Sequence, residues 1–421
     1  MVQGARFALQ PLRFLESEWR RNGDVFSIRY PFFGHIVYFA HPDAVREIFT
    51  GDPSVFHAGE GNAGPLEPIV GQNSLLTLDG GAHMRQRKLM LPPFHGERMA
   101  RYVDAMRTAA ERELRTWPVG RPFALRPRMQ EITLEVILRT IFGVNDAERL
   151  MRFSHLTKRL DEVSNSVLWL PAIRRDLGRF SPWRRFLEAR DNADRVIYSE
   201  IRRRRDDPGE AERDDVMAML LAARHEDGTP MTDVELRDEL MTLVAAGHET
   251  TATALCWSFE LLLRNPRVER TLRANLDDDA YLDAVVKEVL RLRPVVGSIN
   301  RRVKRDVTIA GHRIPAGKFI VPAIALVHLR PDVYEDPHEF RPERFLEGAP
   351  EPYTWIPFGG GVRRCIGAAF AQQEVKVVLR TLLAGGRFRA ASPRPEAART
   401  RHVTIVPSRG ARVVLEERLG A

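Results

Sequence analysis

The 421-residue sequence predicts a mainly helical fold with a small β-rich side, organised as a single domain over residues 1–421. Three observations carry that expectation. Helical periodicity fills the stretch from Arg98 to about Arg205, punctuated by prolines at 118, 122, 127, 171 and 182. One long helical run starts at Thr232 and continues until Asn265 and Pro266 stop it. Short β-rich runs gather near the start of the chain and again after Pro294.

Composition bounds the function. Hydrophobic residues make up 44% and charged residues 29%, which supplies a core and an enclosed ligand pocket and argues against disorder. The formal charge is +8, yet the arginines are spread along the chain with no recognisable nucleic-acid module, so nucleic acid is not an expected partner. The same charge suits either a solvated surface or a docking face for an acidic protein. From Met1 to Arg21, arginines at 6, 13, 20 and 21 interrupt every apolar stretch, leaving neither a signal peptide nor a spanning helix and pointing to the cytoplasm. Two cysteines, Cys256 and Cys365, suggest no disulfide framework and a reducing compartment.

Taken in order, Asp24–Tyr30 and His35–Phe39 read as a hairpin turned at Pro31 and Gly34. Arg202–Arg205, followed by Asp206, Asp207, Pro208 and Gly209, reads as a helix end running into a charged exposed loop. Thr232 and Glu235 have the spacing of a capping box, and the helix they open is roughly 50 Å long at ~1.5 Å per residue. Its middle is apolar all round except for a polar island, Ala246, Gly247, His248, Glu249, Thr250 and Thr251, where Gly247 leaves space for something small. After a helix ending at Pro294, the runs Ser298–Lys304, Val307–Arg313 and Phe319–Ala325 read as strands turned by Gly311, Pro315 and Gly317.

The run from Phe358 to Gly367 places Cys365 in a glycine-rich turn ahead of a helical stretch, Ala368–Leu383. Glycines let backbone N–H groups approach the sulfur, and the helix presents its positive N-terminal end to it. Both favour the thiolate. A lone cysteine after a glycine turn is usually structural; a thiolate on haem iron promotes O–O cleavage instead and ties the loop to oxygen activation.

Here the chain resembles the cytochrome P-450 superfamily. That family's haem-binding signature is Phe, two residues, Gly, one residue, Arg or His, one residue, Cys, one residue, Gly, and Phe358 through Gly367 match every fixed position. The resemblance runs from His83 to Gly367 in the family's order and implies a helical triangular prism holding haem b, with Cys365 on the iron and Phe358 and Gly359 in the cofactor loop. It makes Thr250 and Glu249 the proton-delivery pair, since an acid beside a hydroxyl suits that task. It joins Glu288 and Arg291 to Arg344 in the later Pro342–Phe345 segment as a structural network. Haem propionates would be met by His83, Arg87, Arg301 and Arg363, although Arg302 is easily confused with Arg301. His328 and His338 are expected to be scaffold. Many relatives carry a Pro- and Gly-rich leader where this chain has only Met1–Gln10, a departure that would follow from a misplaced start.

The expected activity is insertion of one oxygen atom from O2 into an apolar substrate, by hydroxylation or epoxidation. Ala246, Val295, Val296, Thr404, Ile405, Leu66 and Ile69 are the candidate pocket residues, and their aliphatic character suits a fatty acid, terpenoid or steroid-like molecule. Segment Leu89–Met99 resembles bacterial members that handle fatty acyl or terpenoid compounds. No dinucleotide fingerprint follows a strand, so electrons from NAD(P)H would arrive through a ferredoxin or flavodoxin and its reductase. Two rivals are a peroxide-driven peroxygenase, which could dispense with the proton pair, and a haem-based gas or redox sensor, which needs Cys365 alone.

Overall fold

The computed structural model describes the chain apart from residues 1, 31–33, 95, 97, 145, 170–172, 179–180, 208 and 420–421. Pro31, Pro171 and Pro208 of the sequence reading therefore lie outside the described residues. Two compact units emerge: Met1–His57, Met106–Thr133 and Glu249–Ala421 form one, and Ala58–Ala105 with Leu134–His248 form the other.

The first unit holds the described strands. A five-stranded sheet runs, edge to edge, Val25–Tyr30, Gly34–Phe39, Phe319–Pro322, Arg301–Val303 and Phe56–His57. Its first two strands form the expected antiparallel hairpin, with Val25 opposite Phe39. Alternation along the strand gives each face its own core. Ile36 and Tyr38 pack with Phe14, Leu15 and Leu326, while Phe39 packs with Ile48, Val303 and Ile320.

Two strand readings need correction. Val307–Arg313 is not one strand but most of a hairpin, Val307–Ile309 against His312–Ile314, because Ala310 (φ 48°) and Gly311 (φ 80°) reverse the chain. Phe319–Ala325 stops as a strand at Pro322, which has no N–H to give a ladder, and a short helix, Ile324–Val327, follows.

The helical half resolves into Arg98–Leu114, Leu125–Phe142, Ala147–Trp169 and Pro182–Arg205. Pro118 and Pro122 fall between helices, whereas Pro127 sits in a first turn, where a missing N–H costs nothing. The arginine run at 202–205 ends its helix as expected but is not all exposed punctuation. Arg204 is fully buried, donating to Glu210, to Asp215 (2.9 Å) and to the Phe142 carbonyl (3.2 Å) within the second unit.

The long helix spans Asp233–Leu262, 30 residues and about 45 Å. It starts on a reciprocal capping box: the Thr232 N–H donates to Glu235 Oε2 at 2.8 Å, and the Glu235 N–H donates to Thr232 Oγ1 at 3.2 Å. Among the described residues, no helix is long and apolar enough to cross a membrane.

Candidate active site

The cysteine loop is folded by its glycines. Gly359 (φ 69°) and Gly361 (φ 61°) both occupy the left-handed region, which only glycine enters cheaply. At Gly361 there is a second constraint, since a Cβ would lie 1.8 Å from the Phe49 carbonyl oxygen. The loop is thus pressed flush against Phe49. The Cys365 N–H donates to the Phe358 carbonyl at 3.0 Å, closing the turn, and the helix Ala368–Gly385 begins three residues later.

This leaves Cys365 exposed, while Cys256, on the long helix, is completely buried and its thiol is pushed up by desolvation. A structural cysteine is expected to look like Cys256. An accessible sulfur at the head of a helix, on a rigid glycine turn, has the donor chemistry of a metal-ligating thiolate. Of the two adjacent arginines on the strand Arg301–Val303, it is Arg301 that faces inward, toward the ring beside the loop. Arg301 and Val303 face inward while Arg302 is exposed, and the Arg301 guanidinium lies 5.7 Å from the centroid of the same Phe49 ring that abuts the loop. Arg363 is half-buried within the loop, and Phe358 stacks edge-on with Trp355.

On the long helix, the polar island is the point where burial is interrupted. Ala245 and Ala246 are exposed and Gly247 and Thr250 half-buried, although Val244 and Ala252 are in the core. A Cβ on Gly247 would lie 2.5 Å from Ile137 Cδ1, so this glycine also serves close helix packing within the second unit. His248 is turned inward, with Nδ1 2.9 Å from the Val244 carbonyl.

Glu249 is buried and held at both oxygens. Arg126 Nη2 donates to Oε1 (2.6 Å) and Gln130 Nε2 to Oε2 (2.5 Å), both from the helix Leu125–Phe142. Nothing in the sequence marks these two residues, which stand more than a hundred positions upstream in the first turns of that helix. Glu374, on the cysteine helix, is a second unforeseen group: complete burial holds its carboxyl well above the usual range, with nearby Thr251 acting in the opposite sense.

The remaining candidates fall as follows. His83 is buried and Arg87 half-buried, four apart on the helix Gly80–Met90. Leu66 and Ile69 are half-buried on the helix Gly59–Val70. Val295, Thr404 and Ile405 are buried and Val296 half-buried; the Ile405 N–H donates to the Val295 carbonyl at 2.7 Å, and Trp257 Nε1 donates to the Ile405 carbonyl at 2.8 Å. Glu288 and Arg291 are fully buried and pair at 2.6 and 2.8 Å, Arg344 adds a third contact to Glu288 at 3.2 Å, and Arg291 also binds the carbonyls of His328, Pro337 and Glu339. His328 accepts the Ile356 N–H at Nε2, and burial beside Arg291 lowers its pKa to about 3, so it is a neutral strut. His338, by contrast, is an exposed partner of Glu16.

The cytochrome P450 family model matches residues 10–409. The chain belongs to the cytochrome P450 family. It is 43% identical to cytochrome P450 135B1 of Mycobacterium tuberculosis over 98% of this chain and 89% of that one, and 40% identical to cytochrome P450 138 of Mycobacterium bovis over 99% and 95%. Among solved structures it is similar to a retinoic acid-bound cyanobacterial CYP120A1, with TM-score 0.83 and 26% identity over 96% and 94% of the two chains. The fold also matches a cytochrome P450DA haem domain, with TM-score 0.84 over 97% and 93% of the chains at 23% identity. The protein is therefore a haem monooxygenase of the P450 class, and its cofactor is haem b. Within the first unit the residues fit that group: an accessible cysteine, with a half-buried arginine, Arg363, two residues before it, offers a ligand for the iron and a cation for an anionic edge.

Proposed function

We propose that the chain works as one haem-thiolate domain over residues 1–421 that hydroxylates or epoxidises a fatty acid, terpenoid or steroid-like substrate, with NAD(P)H electrons delivered through a ferredoxin or flavodoxin and its reductase. The observation that carries the reading is the exposed Cys365 on a loop fixed by Gly361 against Phe49, with Arg301 on the same ring. In this reading Cys365 is the iron ligand, and Phe358 and Gly359 shape the loop that carries it. His83, Arg87, Arg301 and Arg363 hold the propionates. When bound, the haem supplies the oxygen activation that a thiolate ligand favours.

The chain's own residues then have to deliver protons and exclude water. Thr250 holds a proton at Oγ1 on the accessible strip of the long helix, and Glu249, one residue earlier, moves protons to it. Arg126 and Gln130 keep the Glu249 carboxylate oriented in a dry setting. Val295, Val296, Thr404 and Ile405 supply an aliphatic wall, with Ala246, Leu66 and Ile69 as further contacts. The apolar ligand of the cyanobacterial neighbour, retinoic acid, is in keeping with that substrate class. A cytoplasmic location accords with the absence, among the described residues, of a membrane-crossing helix.

Thr250→Ala is the test. With a reconstituted redox partner, the variant is expected to consume NAD(P)H at a rate similar to the parent but to form several-fold less product, with the difference appearing as peroxide. Unchanged coupling would remove Thr250 from proton delivery and favour the peroxide-driven reading.

A further inference from the structure

Within the second unit, four helices leave a narrow cavity of about 30 Å³ between them: Leu125–Phe142, Ala147–Trp169, Pro182–Arg205 and the long helix. Phe142 and Phe153 line it with rings 5.0 Å apart and inclined at 42°. Ala193, on the third helix, lines it with no more than a Cβ, which leaves the space between the larger side chains unfilled. Met241 and Val244, both buried, bound it from the long helix.

The wall does not suit water. Among the described residues that line the cavity, Thr157 is the one with a polar side chain, and its hydroxyl already donates to the Phe153 carbonyl at 3.0 Å. A buried water makes about three hydrogen bonds, and here it meets a single hydroxyl oxygen. Burying water's remaining polar groups without partners is unfavourable. The volume is roughly two to three times the ~10–15 Å³ that one water needs, and far below the ~150 Å³ that admits a benzene ring. A guest of two or three heavy atoms fits, and a fatty acid, terpenoid or steroid does not. The cavity also shares no residue with the aliphatic wall assigned to the substrate. At about 3.6 residues per turn, Met241 and Val244 lie on one face of the long helix and Ala246 lies nearly opposite.

We propose that this cavity is a binding site for dioxygen. The protein is a monooxygenase and consumes O2, a molecule of two atoms with no hydrogen bonds to lose on leaving water. Inside the cavity it gains the dispersion contacts that the lining side chains otherwise lack. Two heavy atoms cannot bind tightly, so the site fills in part and in proportion to gas pressure. The inference needs only the monooxygenase class, and no assignment of substrate, redox partner or proton route enters it.

The test uses the ferric haem-loaded protein, whose iron does not take up O2, with carbon-13 labelled methionine methyls. The Met241 methyl is identified by its loss in Met241→Leu. Xenon, an apolar probe, is expected to shift that resonance saturably with pressure, against a baseline recorded under helium. O2, which is paramagnetic, should speed its relaxation. Ala193→Val adds two methyl groups to the space and Val196→Ile adds one, so a result survives if the larger change prevents folding. In either variant the xenon shift should be lost and the O2 effect on Met241 should fall several-fold. Absence of a xenon shift in the parent, or a shift that persists after filling, overturns the site. A xenon shift that is lost on filling while the O2 effect stays the same overturns dioxygen as the occupant.

Discussion

Replacing Arg291 with alanine is expected to destabilise the protein by about 3–5 kcal/mol, the cost of stranding a buried carboxylate. Arg291 satisfies both oxygens of Glu288 and three backbone carbonyls, those of His328, Pro337 and Glu339. Every partner is drawn from the stretch between the helix Asp279–Leu292 and the segment ending at Phe345, so the cation is the knot that ties that stretch together. Once it is gone, Arg344 alone cannot neutralise Glu288 with the same geometry. Chemical denaturation of the purified variant checks the magnitude. A loss below about 1 kcal/mol would mean that water enters and solvates the pair, contrary to its complete burial.

The second large effect is expected at Gly361. Alanine there meets two penalties: the left-handed backbone, roughly 1–2 kcal/mol for a residue with a Cβ, and a contact of 1.8 Å with a backbone carbonyl that cannot rotate away. The loop has to lift off Phe49, carrying Cys365 with it. Gly361→Ala should therefore fold but lose most of its thiolate-ligated haem, visible as a fall in the ratio of haem absorbance to protein absorbance. Full haem content with a parental spectrum would show that the loop does not need its contact with Phe49.

What the sequence made legible is local. Ten consecutive residues carry the cysteine loop, and the capping box and the polar island lie within one helix, so spacing alone reveals them. The choice of Arg301 over Arg302 rests on the family resemblance; alternation puts the two side chains on opposite faces, and Arg301 is the one that faces Phe49. The hidden parts join distant segments. Arg126 and Gln130 reach Glu249 from the first turns of a helix with no distinguishing pattern, Phe49 receives Gly361 across the fold, and the buried Arg204 looks in the sequence like any arginine in a solvated run.

The hairpin at Val307–Ile314 failed for a different reason. Gly311 marks the turn in the sequence, but the run reads through it as one strand because Ala310, an unusual residue for a positive φ, shares the reversal.

The central claim is that Cys365 is the thiolate ligand of the haem. The most direct test is the absorption spectrum of the reduced, carbon monoxide-bound protein, recorded for the parent and for Cys365→Ala. The account predicts a strongly red-shifted Soret band in the parent and its loss in the variant. A parental spectrum without that shift, or a variant that retains it, would contradict thiolate ligation by Cys365.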